Sequence, residues 1–458
     1  MGSNYIEMRL EDCMDAIIDY RGKTPKKVDN GIPLITAKII KNGRIQEVNE
    51  FIAINDYDDW MVRGLPLEGD VVLTTEAPLG EVAQLDARKV ALAQRVITLR
   101  GKKGILENDY LLYLLQSSFV QNQLDGRASG STVTGIKQSE LREIILRLPP
   151  VSLQKSISHQ LKCLDKKIDL NNKINKTLEQ MSQTLFKSWF VDFDPVIDNA
   201  LDAGNPIPEA LQSRAELRQK VRNSTDFKPL PAEIRSLFPS EFEETELGWV
   251  PKDWLITSFN DLIELIGGGT PKTIVEEYWN GDIPWFSVVD APNESDVYVL
   301  STEKSITAEG LKNSSAKLLR KGTTIISARG TVGKCAMVAV PMAMNQSCYG
   351  VIGKNKISDE YVYFQLKNVV QTLQQMGHGS VFNTITRDTI KNIKVPFCNE
   401  ELTNTYSTYV KKYFSKILNN NYQNIALTKL RDTLLPKLIS GELSVEELPD
   451  LIQKTEAA

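Results

Sequence analysis

Residues 171–190, NNKINKTLEQMSQTLFKSWF, return at 420–439 as NNYQNIALTKLRDTLLPKLI, with six of the twenty aligned positions identical. The likeness extends upstream in the same order. GKTPKK (22–27) returns as GGTPKT (268–273), and IPL (32–34) as IPW (283–285). GDVVLTTEAPLGEVAQL (69–85) returns as GTTIISARGTVGKCAMV (322–338), and GSTVTGI (130–136) as GSVFNTI (379–385). Between the first and last pairs the offset moves from 246 through 251 and 253 to 249, and the helical repeat also recurs after 249 positions. Loop insertions therefore separate the copies, while the register is recovered before the repeated helix. A period of about half the chain means a duplicated globular unit rather than a solenoid of short repeats.

Each copy opens with short Val-, Ile- and Thr-rich runs cut by Gly and Pro. VVLTT, RVITL, TTIISA and CAMVAV read as strands, with GLPLEGD and RKGT as turns. Helical spacing with an acidic first turn appears at 107–124 and 358–376. Pro signals at Leu148-Pro149-Pro150 and Val395-Pro396 then lead into a long helix in each copy. The expected fold class is α+β: two similar mixed α/β domains separated by two long antiparallel coiled-coil helices, in a pseudo-twofold arrangement. Its boundaries are a first domain over 1–150, a first helix over 151–191 and an acidic, Pro-containing connector over 192–245. A second domain covers 246–397, a second helix 398–441 and an acidic tail 442–458. The connector is expected to be helical at 216–224, and Pro436 to kink the second helix or end it early.

Positions spaced 3-4-3-4 form a seam on each long helix. The first runs Leu161, Leu164, Ile168, Asn171, Asn175, Leu178, Ser182, Leu185 and Trp189. The second runs Val410, Tyr413, Ile417, Asn420, Asn424, Leu427, Arg431, Leu434 and Leu438. Both turn polar at the same two places, Asn171/Asn420 and Asn175/Asn424. Asparagine in a seam lowers stability but selects one alignment, because its amide finds a partner in that alignment alone. These four residues are the expected register markers of an antiparallel pair. The plainer alternative is two amphipathic helices, each packed on its own core. From Leu161 to Trp189 a helix spans about 43 Å at 1.5 Å per residue, longer than one globule needs. Duplex DNA repeats every ~34 Å, so two related readers held apart by such a pair suit a two-part DNA site.

Charge follows the same division. The net charge is −4, which argues against a protein that simply coats nucleic acid. Residues 151–191 carry +4 and 398–441 carry +3, whereas 192–245 carry −5. Cys13, Cys163, Cys335, Cys348 and Cys398 are scattered, and no apolar run reaches membrane-spanning length. A reducing cytoplasm and no membrane partner are expected.

The ordered set of motifs resembles the specificity subunits of type I restriction-modification enzymes over roughly residues 5–445. It rests on G-x-T-P-K at 22–26 and 268–272, IPL/IPW, and the run TVTGI…LREIILRLPPVSLQKSI (132–157). FKSWFVDFDPV (186–196), LGWVPKDW (247–254) and LRDTLLPKLISGEL (430–443) complete it. The resemblance implies a non-catalytic reader of double-stranded DNA, each domain reading one half of a split target through the major groove. The helices would set the gap and dock two copies of a methyltransferase subunit, which would carry S-adenosylmethionine. A separate restriction motor-nuclease subunit would carry ATP and Mg. In accord with this the chain has neither F-x-G-x-G nor [DN]-P-P-[YF], and no E-x-K. GTVGK (330–334) has Ala328 and Cys335 where a phosphate loop needs Gly and Ser or Thr, so it reads as a strand turn. Two histidines, His159 and His378, are too few for a His-based metal site or triad; His159 is expected on a helix surface.

Several polar groups are candidates for DNA contact. Lys23, Thr24, Lys26 and Lys27, with Thr270 and Lys272, combine ammonium and hydroxyl groups with a Pro-stiffened turn suited to phosphates, or form a solvated turn. Arg329 and Lys334 stand where the first copy has Glu76 and Glu81, as half-sites of different sequence, or surface drift, would produce. Gln94, Arg95, Asn345 and Gln346 follow strands and suit base edges, Gln and Asn to adenine, Arg to guanine. Ser131, Thr134 and Lys137, and His378, Ser380 and Asn383 in the second copy, lie in polar loops before a helix, where phosphate contact and capping compete. Ser129 and Thr132 share the first of these loops, and Ser139 is expected to cap the helix that follows. Two other functions fit the residues: a duplicated DNA-modifying enzyme with an unfamiliar site, and a protein-binding scaffold without DNA contact.

Overall fold

A computed structural model describes residues 5–20, 24–130, 134–292, 296–376 and 384–447, leaving out the side chains of 374–376. The chain forms two compact units, Met1–Asp169 with Asn424–Ala458, and Leu170–Gln423.

In the first unit, Met14–Asp19, Val96–Gly101, Val71–Thr75 and Leu79–Gln84 lie side by side in that order as an antiparallel sheet. Successive side chains of a strand point to opposite faces, and here both faces are buried. Val71, Leu73, Ile97 and Leu99 join a core with Tyr110, Leu111 and Leu114 of the helix Asn108–Gln116. Val72, Ala83 and Val96 join a second core with Leu34, Ile35 and Ile52. Those last residues belong to a smaller sheet ordered Ala91–Leu92, Ile32–Ile35, Phe51–Ile52, Lys27–Val28. VVLTT and RVITL therefore read as continuous apolar runs because helices cover one side and a sheet the other.

The second unit repeats this plan. Ile263–Gly267, Cys348–Gly353, Thr324–Ser327 and Cys335–Val338 take the same order, extended by Tyr298–Val299 in parallel. Ile326, Met337 and Val351 face the helix Asp359–Met376; Ile325, Ala336 and Val338 face the other way. The smaller sheet's short parallel pair in the first unit, Ala91↔Leu34, returns as Ala343↔Trp285. The antiparallel pair Ile6–Arg9 with Ile145–Leu148 returns as Leu255–Ser258 with Lys394–Phe397. Glycines retained between the copies hold left-handed backbone: Gly69 and Gly322 at φ +85 and +87, Gly80 and Gly333 at +88 and +91. Only glycine adopts that conformation without steric cost.

Three local expectations are corrected. The helical run at 107–124 is two helices, Asn108–Gln116 and Ser118–Arg127. Ser117 is extended between them; its Oγ donates to Leu114 O at 2.6 Å and accepts from Val120 N. A serine side chain that supplies both bonds makes a cap competitive with helix continuation. Ser139 does not cap the helix Gln138–Arg142 but lies within it; the N-cap position is Lys137. Pro436 does not end the second long helix, which runs Glu400–Ser440. Leu434, Leu435, Leu438 and Ile439 are buried around it in the core of the first unit, which holds the turn that the missing amide weakens.

The first long helix is Val151–Phe190. Within the second unit the two helices run antiparallel: Asn171 bonds Gln423, Asn175 bonds Asn420 and Asn421, and Tyr406 bonds Ser182 O. Within the first unit Asp165 pairs with Arg431 at 2.8 Å, and Ile157 and Leu161 share a core with Leu434 and Leu438. Antiparallel pairing and packing on globular cores thus coexist on the same helices. Phe186, Trp189 and Phe190 form an aromatic cluster with Tyr361, Tyr406, Phe238 and Trp254, so FKSWF and LGWVPKDW supply the core of the second unit.

Residues 192–245 are more ordered than a connector helical at 216–224. Asp194–Ala203 and Gln212–Arg222 are helices joined by an Asp–Arg ladder. Arg214 grips Asp194 through two bonds of 2.7 Å, Arg218 pairs with Asp198, and Arg222 and Arg235 both pair with Asp202. Every fourth residue on one helix meets every fourth on the other, so the acids here are neutralised internally.

Candidate nucleic-acid interface

In each unit the loops carrying the candidate residues meet at one end of the main sheet, held by the same backbone bonds. Thr75 N donates to Arg95 O (3.0 Å) in the first unit, and Ala328 N to Ser347 O (2.8 Å) in the second. Ile136 N donates to Thr75 O (3.0 Å), and Ile385 N to Ala328 O (2.9 Å). Glu76 bridges Gly135, and Arg329 bridges Thr384. In the turn, Glu81 N donates to Thr74 Oγ1 and Lys334 N to Ser327 Oγ, both at 2.9 Å. The edge is one construction made twice. GTVGK lies in the turn between two strands of it, as expected.

Two contacts join candidates directly. Gln94 Nε2 donates to Thr24 Oγ1 at 3.4 Å, and at the matching place Thr270 Oγ1 donates to Gln346 Oε1. The G-x-T-P-K loop is thereby tied to the loop that follows Ala93 or Met344. Trp285 Nε1 donates to Gly269 O at 2.9 Å, and a Cβ on Gly268 would lie 1.9 Å from Asn345 O, so no other residue fits there. Asn345 Oδ1 accepts from Ser347 N at 3.0 Å, which turns the amide towards its own loop.

Other candidates are placed singly. Lys26, Thr134, Lys137 and Lys272 are exposed; Lys27 is exposed and paired with Glu50 at 2.8 Å. Arg95 pairs with Glu76 at 2.8 Å, the two side chains remaining 49% and 39% exposed. Arg329 and Lys334 are exposed in the second unit. Glu81, the counterpart of Lys334, accepts from Asn42 N at 2.8 Å, a bond to a loop 39 positions earlier in the chain. The sign change between the copies is thus a paired replacement: Glu76 with Arg95 in one, Arg329 with Ser347 in the other. Lys23, Ser131, Thr132, His378, Ser380 and Asn383 lie outside the described residues. His159 is exposed on the first long helix, as expected.

Of the register residues, Asn171, Asn175 and Asn420 are 1% exposed and Asn424 is partly buried. Asn420 Nδ2 donates to Asn175 Oδ1 (2.8 Å), Asn175 Nδ2 to Asn421 Oδ1 (2.7 Å) and Asn171 Nδ2 to Gln423 Oε1 (2.8 Å). Asn421 and Gln423 were not singled out in the sequence, although the NN doublet at 420–421 repeats that at 171–172. A polar knot in the first unit was also missed. Asp165 accepts from Arg431, from Arg44 at 3.0 Å and from Tyr113 Oη at 2.7 Å, while Arg44 Nε reaches Asp169 at 2.6 Å. Burial and the adjacent Asp165 carboxylate push the Tyr113 hydroxyl well above its ordinary range, so it stays protonated and donates. Its members lie far apart in sequence and share no motif.

Among the described residues, no group of three or more His, Cys, Asp and Glu side chains is placed to hold a metal ion. Nor is any helix among them long and apolar enough to cross a membrane.

Comparisons with known proteins agree with this duplicated architecture. The chain is similar to the type I restriction enzyme HindI specificity subunit of Haemophilus influenzae, 28% identical over 379 residues, or 78% of this chain and 82% of that protein. It is 32% identical over 199 residues to the MjaIX specificity subunit of Methanocaldococcus jannaschii, covering 43% of this chain and 46% of that one. Its fold resembles the crystal structure of a type I restriction-modification S subunit from M. genitalium. That likeness has a TM-score of 0.51 at 16% identity and covers 95% and 96% of the two chains. The family described as type I restriction modification DNA specificity domain matches twice, at residues 3–180 and 251–431, once in each copy of the repeat. With most of its length matched, the chain belongs to the type I restriction modification DNA specificity domain family.

Proposed function

We propose that this chain is the sequence-reading subunit of a type I restriction-modification complex, each recognition domain (1–150 and 246–397) reading one half of a split DNA target. The observation that carries the proposal is the twice-built sheet end. Its backbone bonds recur pair by pair, while the side chains on it change from Glu76 and Arg95 to Arg329 and Ser347. A conserved platform with altered polar groups is what two readers of different sequence require. Thr24, Lys26, Lys27, Thr134, Lys137, Thr270 and Lys272 supply donors suited to phosphate; Gln94, Arg95, Arg329, Lys334, Asn345 and Gln346 supply groups suited to base edges. The long helices set the gap between the half-sites and dock two methyltransferase subunits. The chain itself is non-catalytic: the methyltransferase partner holds S-adenosylmethionine, and the restriction subunit holds ATP and Mg. The net charge of −4 fits a reader whose affinity comes from the assembled complex in the cytoplasm.

Methylation mapping of the host genome with and without the gene tests this. A split adenine-methylated motif is expected to vanish on deletion, and exchange of residues 1–150 for another recognition domain is expected to alter one half alone. Turnover by the purified chain on duplex DNA without a partner would replace the proposal with the enzyme reading.

A further inference from the structure

The two copies differ sharply at one place on an otherwise matched frame. In the first unit Glu76 follows Val71–Thr75, Arg95 precedes Val96–Gly101, and Arg95 Nε lies 2.8 Å from Glu76 Oε1. In the second unit the equivalent backbone carries Arg329 and Ser347, so the cation has moved to the neighbouring strand end and a serine stands where its partner would be. An exposed ion pair contributes ~0–1 kcal/mol to folding, too little to be the reason for a matched exchange at both positions. Geometry supplies a better one. A carboxylate oxygen 2.8 Å from Nε holds the guanidinium at this strand end by charge, and the planar fork of an arginine carries five N–H donors, more than one such contact engages. Guanine presents two acceptors, O6 and N7, on its major-groove edge, and a preoriented Arg meets both at low entropic cost.

Resting on the function proposed above, we infer that Arg95 and Glu76 act as a couple that specifies one guanine in the half-site read by the first unit. Arg95 touches the base, and Glu76 is a positioning residue whose charge keeps the guanidinium at this end of the sheet. The second unit, lacking the couple, reads its half-site with a different arrangement centred on Arg329. Two features of the edge support this. Both side chains stay 49% and 39% exposed although paired, so the couple is open to solvent at this end of the sheet. They also sit beside the Thr24–Gln94 contact and the loop at 134–136, where the other candidate donors gather.

The test uses the full chain assembled with its cognate methyltransferase, on the target defined by methylation mapping. In a series of duplexes, each guanine of the half-site is replaced in turn by 7-deazaguanine, which lacks the N7 acceptor. Wild-type complex is expected to lose about ten- to a hundredfold in affinity at one guanine of the first unit's half-site. Arg95→Ala should bind more weakly overall and be indifferent to that replacement. Glu76→Ala should keep its binding within a few-fold while discrimination at that guanine falls about tenfold. Glu76→Asp, which retains the carboxylate, should recover part of it, whereas Glu76→Gln, which removes the charge, should behave like Glu76→Ala. Discrimination within the other half-site should stay unchanged in every variant, and it doubles as the control for folding. The inference is overturned if that half-site contains no guanine or if wild type tolerates 7-deazaguanine throughout it. It also fails if Arg95→Ala discriminates as well as wild type, or if Glu76→Ala leaves discrimination intact. Failure of the wild-type complex to produce any split motif would instead overturn the DNA-reading function itself.

Discussion

Asn175 uses both ends of its amide on the opposite long helix, accepting from Asn420 and donating to Asn421 in a site 1% exposed. Removing one partner from such a site leaves the rest desolvated and unpaired, which costs more than the bond contributes. Asn175→Ala should therefore lower stability by about 2–3 kcal/mol in urea unfolding. Asn175→Leu together with Asn420→Leu should cost less than the sum of the two single changes, because the pair leaves together. Gly322 makes a second case. At φ +87, a Cβ there would lie 2.5 Å from Asp359 Oδ2, and that carboxylate is held by Arg320 through two bonds of 2.7 Å. Gly322→Ala is expected to cost about 1–2 kcal/mol, read by thermal unfolding. Both features were visible in sequence as residues retained across the repeat. Asn420 was among the expected register residues, but the partners Asn421 and Asp359 were not, since a hydrogen-bond partner is set by three-dimensional register.

Among the elements, the ladder between Asp194–Ala203 and Gln212–Arg222 shows how position along a helix sets the worth of an ion pair. The side chain of Asp194 is 5% exposed and grips Arg214 through two bonds, whereas that of Asp202 is 45% exposed. Asp194→Ala removes both of these bonds and leaves Arg214 only the Asp192 carboxylate at 3.2 Å, which should cost about 2–3 kcal/mol. Asp202→Ala should cost under about 1 kcal/mol, and its effect should shrink further in high salt. Bonds from Arg222 and Arg235 hold the Asp202 carboxyl below its ordinary range. A lowered folded-state value means the pair contributes above the unfolded pKa of ~3.9 and is lost as pH falls through the lower value. Unfolding of the second unit should thus become easier below about pH 4, and Asp202→Asn should flatten that dependence. The acidity of 192–245 was evident in sequence, but its pairing was not. The Arg residues stand twenty positions away, and only the turn at 204–211 brings them opposite the acids.

For the whole molecule, the proposed division of labour predicts that specificity and spacing change independently. Lengthening both long helices by one turn, about four residues, should alter the gap in the methylated motif and leave both half-sites intact; a changed half-site would count against the division. The repeat and its order already required two alike units, because self-similarity at a nearly constant offset admits no other economical fold. The strand character of VVLTT, RVITL and TTIISA followed from local composition, as did the polar seam of the long helices. Local chemistry could not place the break at Ser117, the cap at Lys137 or the persistence of helix past Pro436. The break depends on the two side-chain bonds of Ser117, and the helix past Pro436 on the burial of residues such as Leu434 and Leu438, which outweighs a missing amide. The pairing of Glu76 with Arg95, and the absence of that pair in the second copy, were equally out of reach. Periodicity and propensity act over a few residues and are written in the chain. The contacts between distant segments depend on which strand ends the folded sheet brings together, a matter of packing that no short stretch of sequence encodes.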